Sequence, residues 1–201
     1  MNKKQITTKT YNDHALDFYK KFEHIGPRLE AIDVTFSKIK KENPAVLELG
    51  CAYGRDAKEI LKRTDNYVGI DIAEEFINLA QSANPTGSFE TADLETYQFP
   101  KNLDIIFAFA SLLHCEYEEF QKCFDKAHES LNENGLFYIS TKPADHYKEE
   151  PKTDEYGTRY AYYYSLDDIK KMSQGKFKII YQDLQNTKIG TLFMEILLQK
   201  I

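Results

Sequence analysis

The sequence of 201 residues contains only three cysteines, Cys51, Cys115 and Cys123. Cysteines that are few and odd in number argue against a disulfide framework and are typical of reduced thiols. No apolar run approaches the roughly 20 residues needed to cross a bilayer. The polar N-terminal stretch MNKKQITTKTYND does not have the apolar centre of a secretory signal. We therefore expect a cytoplasmic protein without a membrane partner.

Lysine and arginine form no block in the sequence, and the formal net charge is -6. The charge pattern therefore does not favour a nucleic acid as a partner. His114, Cys115 and Cys123 lack the spacing of a zinc site, so we expect no metal. With 42% hydrophobic and 29% charged residues, the composition is that of one globular domain, residues 1–201.

Helical patterns and apolar runs alternate along the chain. An N-terminal helical cap, residues 1–43, is predicted to contain helices at 11–23 and 28–42 and to end at Asn43-Pro44. Further helices are predicted at 54–63, 74–83, 116–131 and 166–173. Strands are predicted at 45–49, 66–70, 87–91, 103–109, 136–141, 176–183 and 191–199.

Continuous apolar strands separated by helices predict a parallel sheet with helices on both faces. The connection 184–190, between the last two strands, is too short for a parallel crossover, so this pair should be antiparallel. The predicted fold class is therefore α/β, with seven strands that are mostly parallel and an antiparallel last strand.

Four of the predicted strands end in residues suited to binding a ligand. In an open α/β sheet, ligands bind at the carboxyl ends of the strands. Asp71 closes the second strand about 20 residues beyond the glycine loop, where a carboxylate can accept hydrogen bonds from both hydroxyls of a ribose. The other ends carry the glycine loop after Glu48, the run Thr91–Leu94 and the run Ala110–His114.

The glycine loop does not have the spacing of a dinucleotide site. Gly50, Ala52 and Gly54 occupy every second position, whereas G-x-G-x-x-G is the arrangement that brings a pyrophosphate to a helix N-terminus. Glu48 beside the loop is a poor neighbour for a pyrophosphate and a good one for a cationic ligand. Both features count against a nicotinamide-dependent oxidoreductase.

From about Tyr11 to its end, the sequence resembles the class I S-adenosylmethionine-dependent methyltransferases. The matching motifs occur in the family's order and are VLELGCAYGRDA, VGIDIAEEFINLA, TADLETYQF, LDIIFAFASLLHC and LNENGLFYIST. The resemblance implies a Rossmann-like fold, an antiparallel last strand, S-adenosylmethionine as cofactor and methyl transfer as the reaction.

The resemblance also implies roles for individual residues. Glu48 would organise contacts to the methionine moiety, Asp71 would hold the ribose, and Ala110 would offer its carbonyl to the cofactor amino group. Ala52 stands where the family often has its middle glycine. The complete set of implied cofactor-binding residues is Tyr11, Glu48, Gly50, Cys51, Ala52, Asp71, Ile72, Ala92, Asp93, Leu94 and Ala110.

Two features bear on the methyl acceptor. His114 could be catalytic and take a proton from the acceptor, or it could be a structural histidine bonded to the backbone. Segment 143–164, which contains six tyrosines, could be a solvated loop or a lid over the acceptor pocket. As a lid, it would bring Arg159 and Tyr164 to the substrate beside Lys142, and the two cations would suit an anionic acceptor.

The sequence shows no catalytic triad, and the proposed reaction requires none, because alignment of the acceptor and exclusion of water suffice when the leaving group is a sulfonium.

The compact chain favours a small-molecule acceptor. A protein methyltransferase and a non-catalytic S-adenosylmethionine-binding protein remain alternatives. The strand-four end lacks the Asn/Asp-Pro-Pro-aromatic motif of enzymes that methylate DNA bases. We expect a monomer or a homodimer.

Overall fold

The structure is a computed structural model that describes residues 1–187 and 190–201. The strands of the described chain are β1 (Val46–Leu49), β2 (Tyr67–Asp71), β3 (Ser88–Thr91), β4 (Leu103–Phe109), β5 (Leu131–Thr141), β6 (Lys148–Asp154), β7 (Gly157–Tyr163), β8 (Phe177–Asn186) and β9 (Leu192–Lys200). Its α-helices are α1 (Lys3–Asp13), α2 (Ala15–Phe22), α3 (Leu29–Phe36), α4 (Ala57–Ile60), α5 (Glu74–Ala83), α6 (Tyr117–Ser130) and α7 (Leu166–Ser173). In this part of the chain, no helix is long and apolar enough to cross a membrane.

Seven strands form one sheet in the order β3-β2-β1-β4-β5-β9-β8. The first five of these run parallel, and β9 is antiparallel to both of its neighbours. The predicted fold class is therefore confirmed. Because the chain leaves β1 toward β2 on one side and returns to β4 on the other, the strand order reverses between β1 and β4. A crevice at the carboxyl ends results, and this is where α/β sheets bind ligands.

Alternate residues of the central strands pack into two separate cores, one on each face of the sheet. On β4, Ile105 and Phe107 point to one face, and Ile106 and Ala108 to the other. Helices α6 and α7 cover the second face, whereas α3 and α4 cover the first. Burial of both faces explains why these strands are continuously apolar.

The N-terminal cap differs most from the prediction. The structure has a separate helix α1 over Lys3–Asp13, followed by α2, where one helix at 11–23 was predicted. Asn2 caps α1 through a capping box with Gln5. The helix docks on β7 through threonines, because Thr10 donates to the Thr158 carbonyl and the Thr7 hydroxyl accepts from the Tyr160 amide. A polar contact face of this kind leaves no apolar periodicity in the sequence.

Other elements differ from the prediction in length or type. Helices α3 and α4 are shorter than predicted, and β5 begins five residues earlier, at Leu131. Segment 143–164 is not a loop, because β6 and β7 form an antiparallel hairpin there. The last two strands pair antiparallel as predicted, although residues 188 and 189 of their connection lie outside the described residues.

The loop after β1 packs closely against the end of β4. Gly50 has a φ of 70°, in the left-handed region, and a Cβ added to it would lie 2.3 Å from the Cβ of Ser111. Gly50 is therefore required by protein packing as well as by its backbone angle.

Gly50→Ala should lower the free energy of unfolding more than Gly175→Ala does, with urea denaturation as the measurement. Gly175 has the same φ of 70° in the turn after α7 but has no atom within 4 Å of its added Cβ. Both variants incur backbone strain of about 1–2 kcal/mol, and only Gly50→Ala adds overpacking of about 1–3 kcal/mol. Equal losses in the two variants would contradict the close packing described for Gly50.

Candidate active site

The carboxyl ends of β1 to β4 bring the predicted site residues together. Gly50 follows β1, Asp71 ends β2, Asp93 follows β3 and Ala110 follows β4. These ends surround a cavity of about 290 Å³. All predicted cofactor-binding residues except Glu48 line it, as does His114.

Asp71 connects the loop after β1 to the loop after β2. One carboxylate oxygen accepts a hydrogen bond from the backbone amide of Ala52 at 3.0 Å, and the other accepts one from the backbone amide of Ala73 at 2.9 Å. Burial raises the pKa of Asp71 to about 6, against the lowering effect of its backbone hydrogen bonds. Each carboxylate oxygen keeps a further lone pair for a donor in the cavity.

Glu48 lies beneath the loop, out of the cavity. Its side chain is 1% exposed and accepts a hydrogen bond from the Tyr67 hydroxyl at 2.6 Å. Burial, together with the nearby charge of Asp56, raises the pKa of Glu48 to about 8. Its place in the structure is that of a support for the loop.

Ala52 adopts a left-handed φ of 47° at the position where the family often has glycine. The hydrogen bond to Asp71 holds this conformation, which is costly for a residue with a Cβ. Gly54, by contrast, faces the protein, because a Cβ added there would lie 2.6 Å from Asn84 Nδ2. The glycine positions of this loop thus satisfy packing and backbone geometry around the cavity.

Tyr11 and His114 form a hydrogen-bonded pair in the cavity wall. The Nδ1 of His114 lies 2.7 Å from the Tyr160 carbonyl oxygen, which can only accept, so Nδ1 carries the proton. The Tyr11 hydroxyl therefore donates to the unprotonated Nε2, at 2.9 Å. Burial lowers the pKa of His114 to about 4 and raises that of Tyr11 to about 12. At neutral pH both groups are uncharged, and the imidazole acts as the acceptor.

Helix α1 roofs the end of the cavity near β3. The ammonium of Lys4 lies 2.8 Å from Glu95, 2.8 Å from Glu119 and 3.1 Å from Asp93. Burial lowers the pKa of Lys4, but the three carboxylates raise it by more, so the pKa lies above its ordinary value. Asp93, one of the cofactor-binding residues that the resemblance implies, is thus also an anchor for the roof.

The β4 side of the cavity carries a second group of charges. The carboxylate of Asp56 accepts two hydrogen bonds from Arg28, one from its backbone amide at 2.7 Å and one from its guanidinium at 2.6 Å. It accepts a third hydrogen bond from Nη2 of Arg55 at 3.1 Å. The guanidinium of Arg28 lies over the Phe109 ring at 5.3 Å. Arg28, Arg55 and Asp56 all line the cavity.

The three residues predicted to bind substrate do not line the cavity within the described chain. Arg159 forms a two-contact ion pair with Asp154, at 2.6 and 3.2 Å, behind the Tyr11 ring. Lys142 lies 3.1 Å from the Tyr163 hydroxyl, and the buried Tyr164 donates to the Cys115 carbonyl at 2.5 Å. Their predicted contact with a substrate stays a prediction.

Some lining residues were not singled out from the sequence. Arg55 and Asp56 directly follow the glycine loop, and that position was a usable signal. Lys4 and Arg28 gave none, because they reach the cavity only through the docking of the N-terminal helices. Within residues 1–187 and 190–201, no group of three or more His, Cys, Asp or Glu side chains is arranged to hold a metal ion.

Comparisons with known proteins identify a similar family and similar sequences. Residues 46–135 match a family described as Methyltransferase domain. Malonyl-[acyl-carrier protein] O-methyltransferase 2 of Ilyobacter polytropus is 26% identical over 189 residues, or 90% of this chain and 69% of the relative. Phosphoethanolamine N-methyltransferase of Plasmodium falciparum is 31% identical over 141 residues, or 64% of this chain and 53% of the relative.

Solved structures share the fold at low identity. Magnesium protoporphyrin IX methyltransferase from Synechocystis PCC 6803, with bound SAM, superposes with a TM-score of 0.77 at 15% identity, covering 100% of this chain and 98% of that one. A SAM-dependent methyltransferase from Methanosarcina mazei gives a TM-score of 0.71 at 18% identity, covering 84% of this chain and 97% of that one.

The fold, the motif order and the family match agree with one another, and the predicted family is confirmed. The chain contains a methyltransferase domain over residues 46–135, within the fold of the solved S-adenosylmethionine-dependent methyltransferases.

Proposed function

We propose that this protein transfers a methyl group from S-adenosylmethionine to a small-molecule acceptor in the cavity at the carboxyl ends of β1 to β4. The observation that carries the proposal is the meeting of Asp71, the β1 loop and Asp93 around one cavity at the reversal of strand order. The relative named for phosphoethanolamine supports a small-molecule acceptor, whereas the relative named for malonyl-[acyl-carrier protein] has an acceptor carried on a protein.

The cavity residues have distinct roles in this proposal. S-adenosylmethionine, when bound, supplies an electrophilic methyl group on a sulfonium. Asp71 accepts the ribose hydroxyls with the lone pairs left free by Ala52 and Ala73. Asp93 accepts the adenine amino group, and Ile72 and Leu94 pack against the base. The remaining implied residues, Gly50, Cys51, Ala52, Ala92 and Ala110, shape the wall around the cofactor.

The pair Tyr11–His114 is suited to remove a proton from the acceptor. The pair would take the proton of an acceptor hydroxyl or amine held at Tyr11, since that proton would pass to Tyr11 Oη while the Tyr11 proton passes to His114 Nε2. The 2.9 Å distance between these two atoms supports the transfer. The hydrogen bond from His114 to the Tyr160 carbonyl stabilises the imidazolium that results.

The roof is expected to move when ligands exchange. The cavity, about 290 Å³, is at the lower limit of small-molecule sites, which span roughly 300–1,000 Å³. Helices α1 and α2 contribute Lys4, Thr7, Tyr11 and Phe18 to its wall. We therefore expect α1 to open for exchange and the Lys4 contacts to re-form on closing.

Isothermal titration with S-adenosylmethionine, S-adenosylhomocysteine and NAD tests the proposal. We expect micromolar binding of the first two and none of NAD. Asp71→Asn should weaken both by roughly 10–100-fold, because it removes charge-assisted hydrogen bonds to the ribose. Asp65→Asn is the control, since Asp65 is an exposed loop carboxylate. Binding that is unchanged in Asp71→Asn contradicts the ribose assignment, and NAD binding contradicts the function.

Affinity for S-adenosylhomocysteine should also depend on pH. Because the pKa of Asp71 is about 6, its carboxylate is ionised above that pH and protonated below it. We expect the wild-type affinity to fall between pH 7 and pH 5, and the affinity of Asp71→Asn to change less. A parallel decline in both proteins would assign the pH effect to another group.

The neutral state of His114 should appear in the pH dependence of stability. The folded pKa of about 4 lies below the unfolded value of about 6.5, so the stabilisation is complete above pH 6.5 and is lost as pH falls toward 4. Relative to His114→Asn, wild type should lose about 1 kcal/mol of unfolding free energy per pH unit across this interval. His24→Asn, at an exposed site, is the control. A pH-independent difference between wild type and His114→Asn would show that His114 titrates normally.

The Lys4 contacts should control the rate of ligand exchange. Lys4→Met removes three ion pairs from the roof, each worth about 0.2–1 kcal/mol. We expect S-adenosylhomocysteine to dissociate roughly 2–10-fold faster in stopped-flow measurements. Lys9→Met alters an exposed ion pair with Asp13 on the same helix and should leave the rate unchanged. An unchanged rate in Lys4→Met would exclude α1 as the roof that limits exchange.

A further inference from the structure

One backbone position of β7 contacts both sides of the Tyr11–His114 pair. The amide of Tyr160 donates a hydrogen bond to the hydroxyl of Thr7 at 3.0 Å, on the helix α1 that carries Tyr11. The carbonyl of Tyr160 accepts the Nδ1 proton of His114 at 2.7 Å. The hairpin of β6 and β7 therefore fixes the helix of one partner and the ring orientation of the other.

The side chain of Arg159, the residue before Tyr160, packs on the ring of Tyr11. Its guanidinium carbon lies 5.9 Å from the centroid of the Tyr11 ring and 4.9 Å from that of Phe18. The two rings are 5.1 Å apart, and the Arg159 side chain is only 8% exposed. Cations within about 6 Å of a ring centroid attract the ring. The guanidinium is therefore one wall of the site that holds the Tyr11 ring.

Asp154 of β6 fixes the guanidinium in this place. It accepts two hydrogen bonds from Arg159, at 2.6 and 3.2 Å, which use the planar fork of the side chain. The hydrogen bond from Arg159 holds the pKa of Asp154 below its usual range, so the pair is ionised. The charge of Arg159 is thus neutralised inside the hairpin and needs no anionic ligand. What its buried position serves is the contact with the aromatic rings.

The charges that act on the Tyr11–His114 pair favour an uncharged imidazole. They come from four elements of the fold and are those of Asp71, Lys142, Asp154 and Arg159. Burial is the main reason that the pKa of His114 is about 4, and the two cations act in the same direction, against the hydrogen bond to Tyr160. Arg159 thus helps to keep Nε2 of His114 unprotonated and able to accept the Tyr11 hydroxyl, which lies 2.9 Å away.

We propose that Arg159 is a positioning residue for proton transfer, because its guanidinium, held by Asp154, keeps the Tyr11 hydroxyl directed at Nε2 of His114. The inference rests on the proposed function for the use of this pair as a proton acceptor. Arg159 touches none of the reacting atoms and acts through Tyr11. The hairpin then sets both partners, since Tyr160 orients the imidazole and Arg159 orients the phenol.

Nitrogen-15 NMR of the ligand-free protein, labelled at histidine, tests the proposal. The resonance of His114 Nε2 reports whether this nitrogen accepts a hydrogen bond, and Tyr11→Phe supplies the value without the donor. Arg159→Lys keeps the charge but loses the planar fork, so we expect the resonance at pH 7 to move about half of the way or more to the Tyr11→Phe value. Arg159→Met should move it as far. It should also raise the midpoint of the His114 titration by about 0.5–1 pH unit, because a cation is removed.

The Tyr11→Phe background shows whether Arg159 acts through Tyr11. In that background Arg159→Lys should leave the Nε2 resonance unchanged, because no hydroxyl remains to be positioned. Lys152→Met is the control, since Lys152 is an exposed cation directly opposite Arg159 in the register of the hairpin. It should leave both the resonance and the titration midpoint unchanged.

The proposal is overturned if Arg159→Lys and Arg159→Met keep the wild-type Nε2 resonance. It is also overturned if Arg159→Lys shifts the resonance equally with and without the Tyr11 hydroxyl, since a hairpin that is merely loosened would act through Tyr160 in both backgrounds. Asp154→Asn leaves the guanidinium in place, so it is expected to fold even if the Arg159 variants do not. It should shift the resonance in the same direction, and a wild-type resonance in Asp154→Asn would then overturn the proposal.

Failure of the proposed function has a different signature. Wild type would then bind neither S-adenosylmethionine nor S-adenosylhomocysteine in calorimetry. The resonances of the ligand-free protein would still report whether Arg159 positions Tyr11 against His114.

Discussion

The hydrogen bonds of Asp71 to the loops on either side of it are the interaction on which the site depends. The carboxylate ends β2 and accepts one amide from the β1 loop and one from its own loop. It holds Ala52 in a left-handed conformation, and the strand ends around it form the cavity. Because burial raises the pKa of Asp71 to about 6, the charged form is costly in the folded protein. Ribose hydroxyls would offset that cost, so the same group serves the loop geometry and the ligand.

The two sides of the cavity have opposite charge. Near β3, Asp93, Glu95 and Glu119 surround the single ammonium of Lys4. Near β4, two arginines surround the single carboxylate of Asp56. The Tyr11–His114 pair adds an uncharged acceptor of protons to the wall.

The sheet could be predicted because its strands are buried on both faces and therefore appear as continuous apolar runs. The strand-end residues could be predicted for a related reason, since the carboxyl ends of parallel strands meet at one edge of the sheet. Asp71, Asp93 and Ala110 thus line the predicted cavity. Glu48 was predicted from the same pattern to contact the cofactor. In the structure its side chain lies beneath the loop and accepts a hydrogen bond from the Tyr67 hydroxyl.

The roof and the hairpin could not be predicted, because their contacts are polar and distant in sequence. Helix α1 buries Thr7 and Thr10 in place of an apolar stripe, although Asn2 and Gln5 carried a capping signal. Strand β6, KEEPKTD, is almost wholly exposed and has no alternating pattern. Lys4 and Arg28 become site residues only after the N-terminal helices dock. Local periodicity does not encode that docking.

A crystal structure of the protein grown with S-adenosylhomocysteine would show whether Asp71 holds the ribose. We expect the ribose hydroxyls on the Asp71 carboxylate, the adenine between Ile72 and Leu94 with its amino group at Asp93, and α1 closed over the base. A nucleoside bound elsewhere, or one in this cavity with no hydrogen bond to Asp71, would rule out the proposed role of Asp71.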